Sequence, residues 1–192
     1  MAETMENKIK MPENQEDSGS EKYVIFSVFE CLYSFPSRYI SEISRSDTVF
    51  PLPLMPPYML GVINRYSSPY ALFDIGLLFY NKPSSQSDGQ KNMDKKVLII
   101  KDSVDRIAFL IDDVSDIIDI PLQLLVKVER DLQENNLSEA VCSIFNWNNN
   151  NVFILDIEKI LQCVSRDIAH RGTFRNAVFF MSLRRIYNGN TN

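Results

Sequence analysis

Apolar residues in this sequence come in short runs crowded with β-branched and aromatic side chains: Tyr23-Val-Ile-Phe-Ser-Val28, Val97-Leu-Ile-Ile100, Ile107-Ala-Phe-Leu-Ile111 and Val152-Phe-Ile-Leu155. Runs of this length are too short for self-sustaining helices and far short of the roughly 20 residues that cross a bilayer, whereas their residue types suit a pleated sheet. Turn-forming residues stand between them, so the chain is expected to be mainly β.

Reading onward from Tyr23, the break at Glu30 and Cys31 predicts a hairpin over Tyr23–Pro36, followed by short strands at Ile40–Arg45 and Val49–Leu52. Pro51-Leu-Pro-Leu-Met-Pro-Pro57 cannot continue a helix or a central strand, because proline lacks an amide donor and restricts the residue before it. An extended connector is expected there. Tyr58–Ile63 and Tyr70–Phe79 read as a second hairpin around the turn residues of Asn64–Pro69. The polar stretch 82–96, with Pro83, Asp88 and Gly89, reads as a loop between two halves. Three further strands are expected at Val97–Ile100, Ile107–Ile111 and Ile117–Ile120, with a turn at Asp102–Asp105 between the first two. A short helix or turn at Leu124, Leu125 and Val128 precedes a strand at Val152–Leu155. Asp156 then caps an amphipathic helix over 156–168, in which Ile157, Ile160, Leu161, Val164 and Ile168 recur at three- and four-residue spacing.

The flanks differ from this middle. Residues 1–21 carry Glu3, Glu6, Glu13, Glu16, Asp17 and Glu21 without an apolar run suited to a signal sequence, and read as a disordered acidic arm. Residues 166–192 form a basic tail with Arg166, Arg171, Arg175, Arg184 and Arg185 opposed by Asp167, and Val178-Phe-Phe-Met181 could dock on the core, a partner or a lipid surface. The formal net charge of −5 argues against nucleic acid as a partner, since phosphate binding draws on a broad cationic surface. Cys31, Cys142 and Cys163 show neither a disulfide framework nor a C-x-x-C knuckle and fit a reducing cytoplasm.

Signatures of catalysis are missing. None of the six glycines has the spacing of a phosphate-cradling loop, and His170, the single histidine, lies outside the expected core. Asp112, Asp113, Asp116 and Asp119 lack the glycine and terminal glutamate of a calcium-binding loop and read as a solvated strand end. Trp147, beside Asn148–Asn151, reads as the flank of a hairpin. No catalytic residue, metal site or cofactor is therefore expected. An enzyme built on Cys31 or the aspartates, and a β-barrel for single-stranded nucleic acid, remain as readings of a different class, without a motif in their favour.

One resemblance runs through the order of these segments. Tyr23-Val-Ile-Phe-Ser-Val with Tyr33 and Phe35, then Ile40-Ser-Glu-Ile43, are similar to the opening of the CheW family of chemotaxis coupling proteins. Leu52-Pro-Leu-Met-Pro-Pro-Tyr-Met-Leu-Gly-Val-Ile-Asn64 resembles that family's I-P-x-x-P-x-Y-x-x-G-V-I-N, with Asp74-Ile75 at its D-L position. Ile107–Ile118 resembles V-G-x-x-V-D-x-V-x-x-V-L, and Val152–Leu161 the closing L-x-L-D-x-E-K-L-L. The similarity covers 22–164, about three quarters of the chain.

The resemblance implies two SH3-like five-stranded barrels, at about 22–82 and 95–155, completed by the terminal helix within a domain at 22–165. It also implies an adaptor, not an enzyme, that joins the regulatory domain of a CheA-type histidine kinase to the cytoplasmic tip of methyl-accepting chemoreceptors. Such a protein would be cytoplasmic and meet the membrane only through receptors. Carried over by position, Ile40, Glu42, Gly61, Val62, Asn64, Arg65 and Tyr66 are the expected partner-binding residues. Departures stand in the same stretch: Tyr66 and Ser67 occupy the family's arginine and glycine positions, Ala71 replaces a proline, and Phe29 replaces a glycine. A tyrosine hydroxyl does not reproduce arginine's bidentate reach, so a divergent paralogue that keeps only one partner is the companion reading.

Overall fold

The computed structural model describes residues 19–45, 48–82, 95–101, 106–128 and 140–170. The opening hairpin forms where expected: β1 (Ser20–Val28) turns through Phe29 and Glu30 into β2 (Cys31–Pro36). Phe29 takes a left-handed backbone, φ 54°, that glycine would adopt more readily, and the Asp112 carboxylate holds it there by accepting its N–H at 2.5 Å. The strands β3 (Ile40–Arg45), β4 (Met59–Arg65) and β5 (Ser68–Asp74) follow, then helix α1 (Ile75–Tyr80). Downstream come β6 (Lys96–Ile100), β7 (Ile107–Ile111), β8 (Asp113–Pro121), β9 (Val126–Lys127), β10 (Val141–Trp147), β11 (Asn150–Leu155) and α2 (Ile157–His170).

Several expectations change. Tyr70–Phe79 is a strand and a helix, because the buried Asp74 accepts the Leu77 N–H at 3.1 Å and caps α1. Val49–Leu52 forms no strand; only Phe50 pairs, exchanging two backbone hydrogen bonds with Val62 at 2.8 and 2.9 Å. Ile117–Ile120 is the end of the longer β8, a single 3-10 turn at Leu122–Leu124 leads to β9, and β10 is a strand that the sequence reading left unassigned. The turn at 102–105, most of the loop at 82–96, most of the acidic arm and the tail beyond 170 lie outside the described residues.

The eleven strands of the described residues make two sheets, ordered β8-β1-β2-β11-β10-β9 and β3-β6-β7-β5-β4. Two pairings are parallel, β2 with β11 and β5 with β7; the others are antiparallel. In place of two closed five-stranded barrels there are two open sheets, one of six strands and one of five. Each draws strands from both sides of residues 83–94, so a division at 22–82 and 95–155 describes neither sheet.

Both faces of the central strands are buried, which explains their unbroken apolar runs. Alternate residues feed different cores. In the six-stranded sheet Tyr23 and Ile25 join Ile120, Phe145, Val152 and Ile154, whereas Val24, Phe26 and Val28 turn the other way. In the five-stranded sheet Val97, Ile99, Ala108 and Leu110 line an inner core with Ile63, Tyr70 and Leu72, whereas Leu98, Ile100, Ile107, Phe109 and Ile111 face outward. The outward sets of both sheets meet in a shared central core, where Phe35 of β2 stacks on Phe109 of β7 with ring centroids 5.4 Å apart.

Helix α2 completes that shared core. Asp156 accepts the N–H groups of Glu158 and Lys159 at 2.9 and 3.2 Å, the cap anticipated from sequence, and Ile157, Ile160, Val164 and Ile168 form its buried stripe. Near its far end Asp167 accepts a 2.7 Å hydrogen bond from the Tyr58 hydroxyl, which ties the helix to the entry of β4.

Candidate interaction site

All seven residues singled out from sequence lie on the two outer strands of the five-stranded sheet or in the turn beside them. Ile40 and Glu42 are on β3; Gly61, Val62, Asn64 and Arg65 are on β4; Tyr66 begins the β4–β5 turn. β3 and β4 stand at opposite ends of the strand order, yet the Arg65 guanidinium donates to the Glu42 carboxylate. The sheet is therefore rolled until its two edges face each other, and this ion pair spans the seam that no backbone ladder closes.

Bulges decide which residues meet there. Ile40 pairs with Ile100 but Glu42 pairs with Ile99, so Ser41 is an extra residue; its hydroxyl donates to the Ile99 carbonyl at 3.1 Å. Residues two apart would ordinarily share a face. Here Ile40 packs half-buried against the central core, and Glu42 turns to the side of the inner one. β4 repeats the device at Leu60: Met59 pairs with Phe73 of the central core and Gly61 with Leu72 of the inner core. The seven residues thus form no single patch. Val62 is half-buried, Asn64 and Tyr66 are exposed, and Glu42 with Arg65 closes the seam.

Gly61 serves the chain's own packing. Its φ is +142°, and a Cβ placed on it would lie 2.2 Å from the Phe50 carbonyl oxygen and 2.9 Å from Pro51 Cα. The missing side chain admits the proline-rich connector as it crosses β4. That crossing also holds two apolar side chains that sequence reasoning passed over: Phe50 is 57% exposed and Leu54 80%. Their one sequence signal was an apolar residue next to a proline, Pro51 after Phe50 and Pro53 before Leu54, where the chain leaves regular structure.

Tyr66 is 86% exposed. With Ser67 it makes a two-residue turn in which both have left-handed backbones, φ 49° and 62°. Asn148 and Asn149 make the same kind of turn between β10 and β11, but asparagine tolerates it, whereas tyrosine and serine each bear a strain of about 1 kcal/mol.

Several other polar groups are committed to structure. Tyr33 and Tyr80 share a 2.5 Å hydrogen bond linking β2 to α1. Burial, reinforced by the hydrogen bonds that its hydroxyl donates to Cys31 and Tyr33, pushes the Tyr80 phenol far above its ordinary value, so both rings stay neutral across the physiological range. Burial and the nearby Asp156 raise the Cys142 thiol as well, which disfavours the nucleophilic thiolate. Asp112 pairs with Lys95, Asp119 lies 3.7 Å from Lys22, and Asp113 and Asp116 each accept the N–H of the next residue. Among the described residues no three metal-ligating side chains gather.

The seam has a measurable role. With both side chains about three-quarters buried, Glu42→Gln is expected to lower stability by about 1 kcal/mol and to make it less sensitive to salt. Urea denaturation of both proteins at low and high salt checks this; equal midpoints would show that the pair contributes nothing to the seam.

Comparison with known proteins follows the same outline. A family model described as a CheW-like domain matches residues 22–164. The crystal structure of scaffolding protein TtCheW from Thermoanaerobacter tengcongensis superposes with a TM-score of 0.61 at 18% identity, covering 72% of this chain and 90% of that one. At that identity the likeness is one of fold. No curated protein sequence matches at a significant level. The family match runs from Lys22 in β1 to Val164 in α2 and so takes in both sheets and the core they share, which makes this chain a member of the CheW-like domain family.

Proposed function

We propose that this protein is a non-catalytic adaptor that couples chemoreceptors to a CheA-type histidine kinase. The observation that carries the reading is the family match across both sheets at 22–164. It is supported by the character of the site, which offers exposed apolar and aromatic side chains at Phe50, Leu54 and Tyr66, of the kind that anchor protein interfaces. In this reading Ile40, Val62, Asn64 and Tyr66 contact partners, while Glu42, Arg65 and Gly61 hold the surface in shape. Among the described residues no helix is long and apolar enough to cross a membrane. The adaptor meets the membrane only through receptor tips, on the cytoplasmic side, and binds no nucleic acid.

A second reading is favoured by Tyr66 and Ser67, which stand where the family carries arginine and glycine: a paralogue that binds one partner alone. Calorimetric titration against a kinase regulatory domain and, separately, a receptor-tip fragment at matched salt distinguishes them. Binding to both is expected, with Tyr66→Ala weakening at least one about tenfold. Binding to one establishes the paralogue, and binding to neither overturns both readings.

A further inference from the structure

The six-stranded sheet leaves Leu122, Leu124 and Val126 48%, 61% and 68% exposed. All three lie in the short stretch that leaves β8 through the 3-10 turn and enters β9. β9 is an outer strand, paired with β10 on one side only, and Lys127 beside Val126 is exposed. Apolar side chains this exposed and this close in sequence mark a surface that something covers.

The chain's own upstream segment arrives at this point. β1 runs antiparallel to β8 with Ser20 opposite Pro121. One residue earlier, the Gly19 carbonyl accepts the Leu122 N–H at 3.0 Å, and a Cβ on Gly19 would lie 3.5 Å from Leu122 Cδ1. The chain before Gly19 is therefore tethered beside Leu122, at the start of this stretch. Residues 1–18 carry Met1, Met5, Ile9 and Met11, with Glu13, Glu16 and Asp17 nearer the attachment point. Eighteen residues reach about 27 Å even when helical, ample for a patch that begins beside their anchor. A tethered segment also acts at an effective concentration in the millimolar range, which favours it over a second copy of the chain.

We propose that residues 1–18 fold back over the Leu122, Leu124 and Val126 patch, with Met5, Ile9 and Met11 supplying apolar contact and the acidic residues facing Lys127. This docking is independent of the coupling function. Two measurements on the full chain test it. Trypsin cleavage after Lys8 and Lys10 is expected to be about tenfold faster in Leu124→Asp/Val126→Asp, because proteolysis tracks the population in which the segment is released. Both altered residues are largely exposed, so the global melting transition serves as the control. Amide hydrogen exchange over 122–128 is expected to be about tenfold faster in Met5→Asp/Ile9→Asp than in the unaltered chain, at every protein concentration. Equal cleavage and exchange rates overturn the proposal. So does protection of 122–128 that grows with concentration and ignores Met5 and Ile9, the signature of a second copy as the occupant.

Discussion

Gly61→Asp is expected to lower the melting temperature by about 10 °C or more, through a cost of roughly 3–5 kcal/mol. Two effects add. An aspartate at φ +142° is strained wherever it points, and its Cβ would stand 2.2 Å from the Phe50 carbonyl oxygen, a backbone atom that moves only if the connector lifts from β4. Lifting it breaks the two hydrogen bonds between Phe50 and Val62. Circular dichroism through a thermal ramp reads the result. A melting temperature within about 2 °C of the unaltered protein, combined with lost partner binding, would reverse the assignment and make Gly61 a contact residue, because so small a shift corresponds to about 1 kcal/mol or less.

The second large effect is expected at Phe109. Its fully buried ring lies between Phe35 of the other sheet, 5.4 Å away, and Phe73 of its own, 6.2 Å away. Phe109→Ala removes the middle ring of that stack and is expected to cost about 3–5 kcal/mol, whereas Phe109→Leu, which keeps most of the volume, costs about half as much. Urea denaturation of the alanine variant should show a lower midpoint with an unchanged slope and a single transition, because both sheets share the central core. Two separate transitions would mean that each sheet is stable by itself and that the shared core is dispensable.

How much of this was legible depends on where the deciding contacts lie. The first hairpin and the bounds of β3 follow from local pattern, and β6 and β7 are recognisable because strands buried on both faces leave unbroken apolar runs. Helix α1 was lost for the same reason. Ile75–Tyr80 is apolar throughout and only six residues long, so it reads as more strand, and its single signal is the capping Asp74. The bulges at Ser41 and Leu60 are settled by the partner strands, β6 and β5, and no local pattern announces them. They are why Ile40 and Glu42, two apart in sequence, serve opposite faces. Gly61 was expected to face a partner, but the group that approaches it in the structure is the chain's own Phe50–Pro51 backbone. The Glu42–Arg65 pair depends on how far the sheet rolls, which emerges only once every strand is in place. Sheet membership was hidden too, since β2 pairs with β11 across more than a hundred residues.

That last pairing bears on how the protein is made. As the chain leaves a ribosome, β1 and β2 emerge first and can pair only with each other, because β8 and β11 have not been synthesised. The five-stranded sheet can assemble once β7 is out, but Leu98, Ile100 and Phe109 on its outward face then wait for the other sheet and for α2. A nascent chain halted between β8 and β11 therefore carries one finished sheet with a bare apolar face and one unfinished sheet whose β2 edge is open, the condition in which chaperones are needed most. Long-range strand pairing of this kind also slows folding in free solution. Neither half of the chain can be expressed alone as a folded module, since each would hold strands whose partners lie in the other.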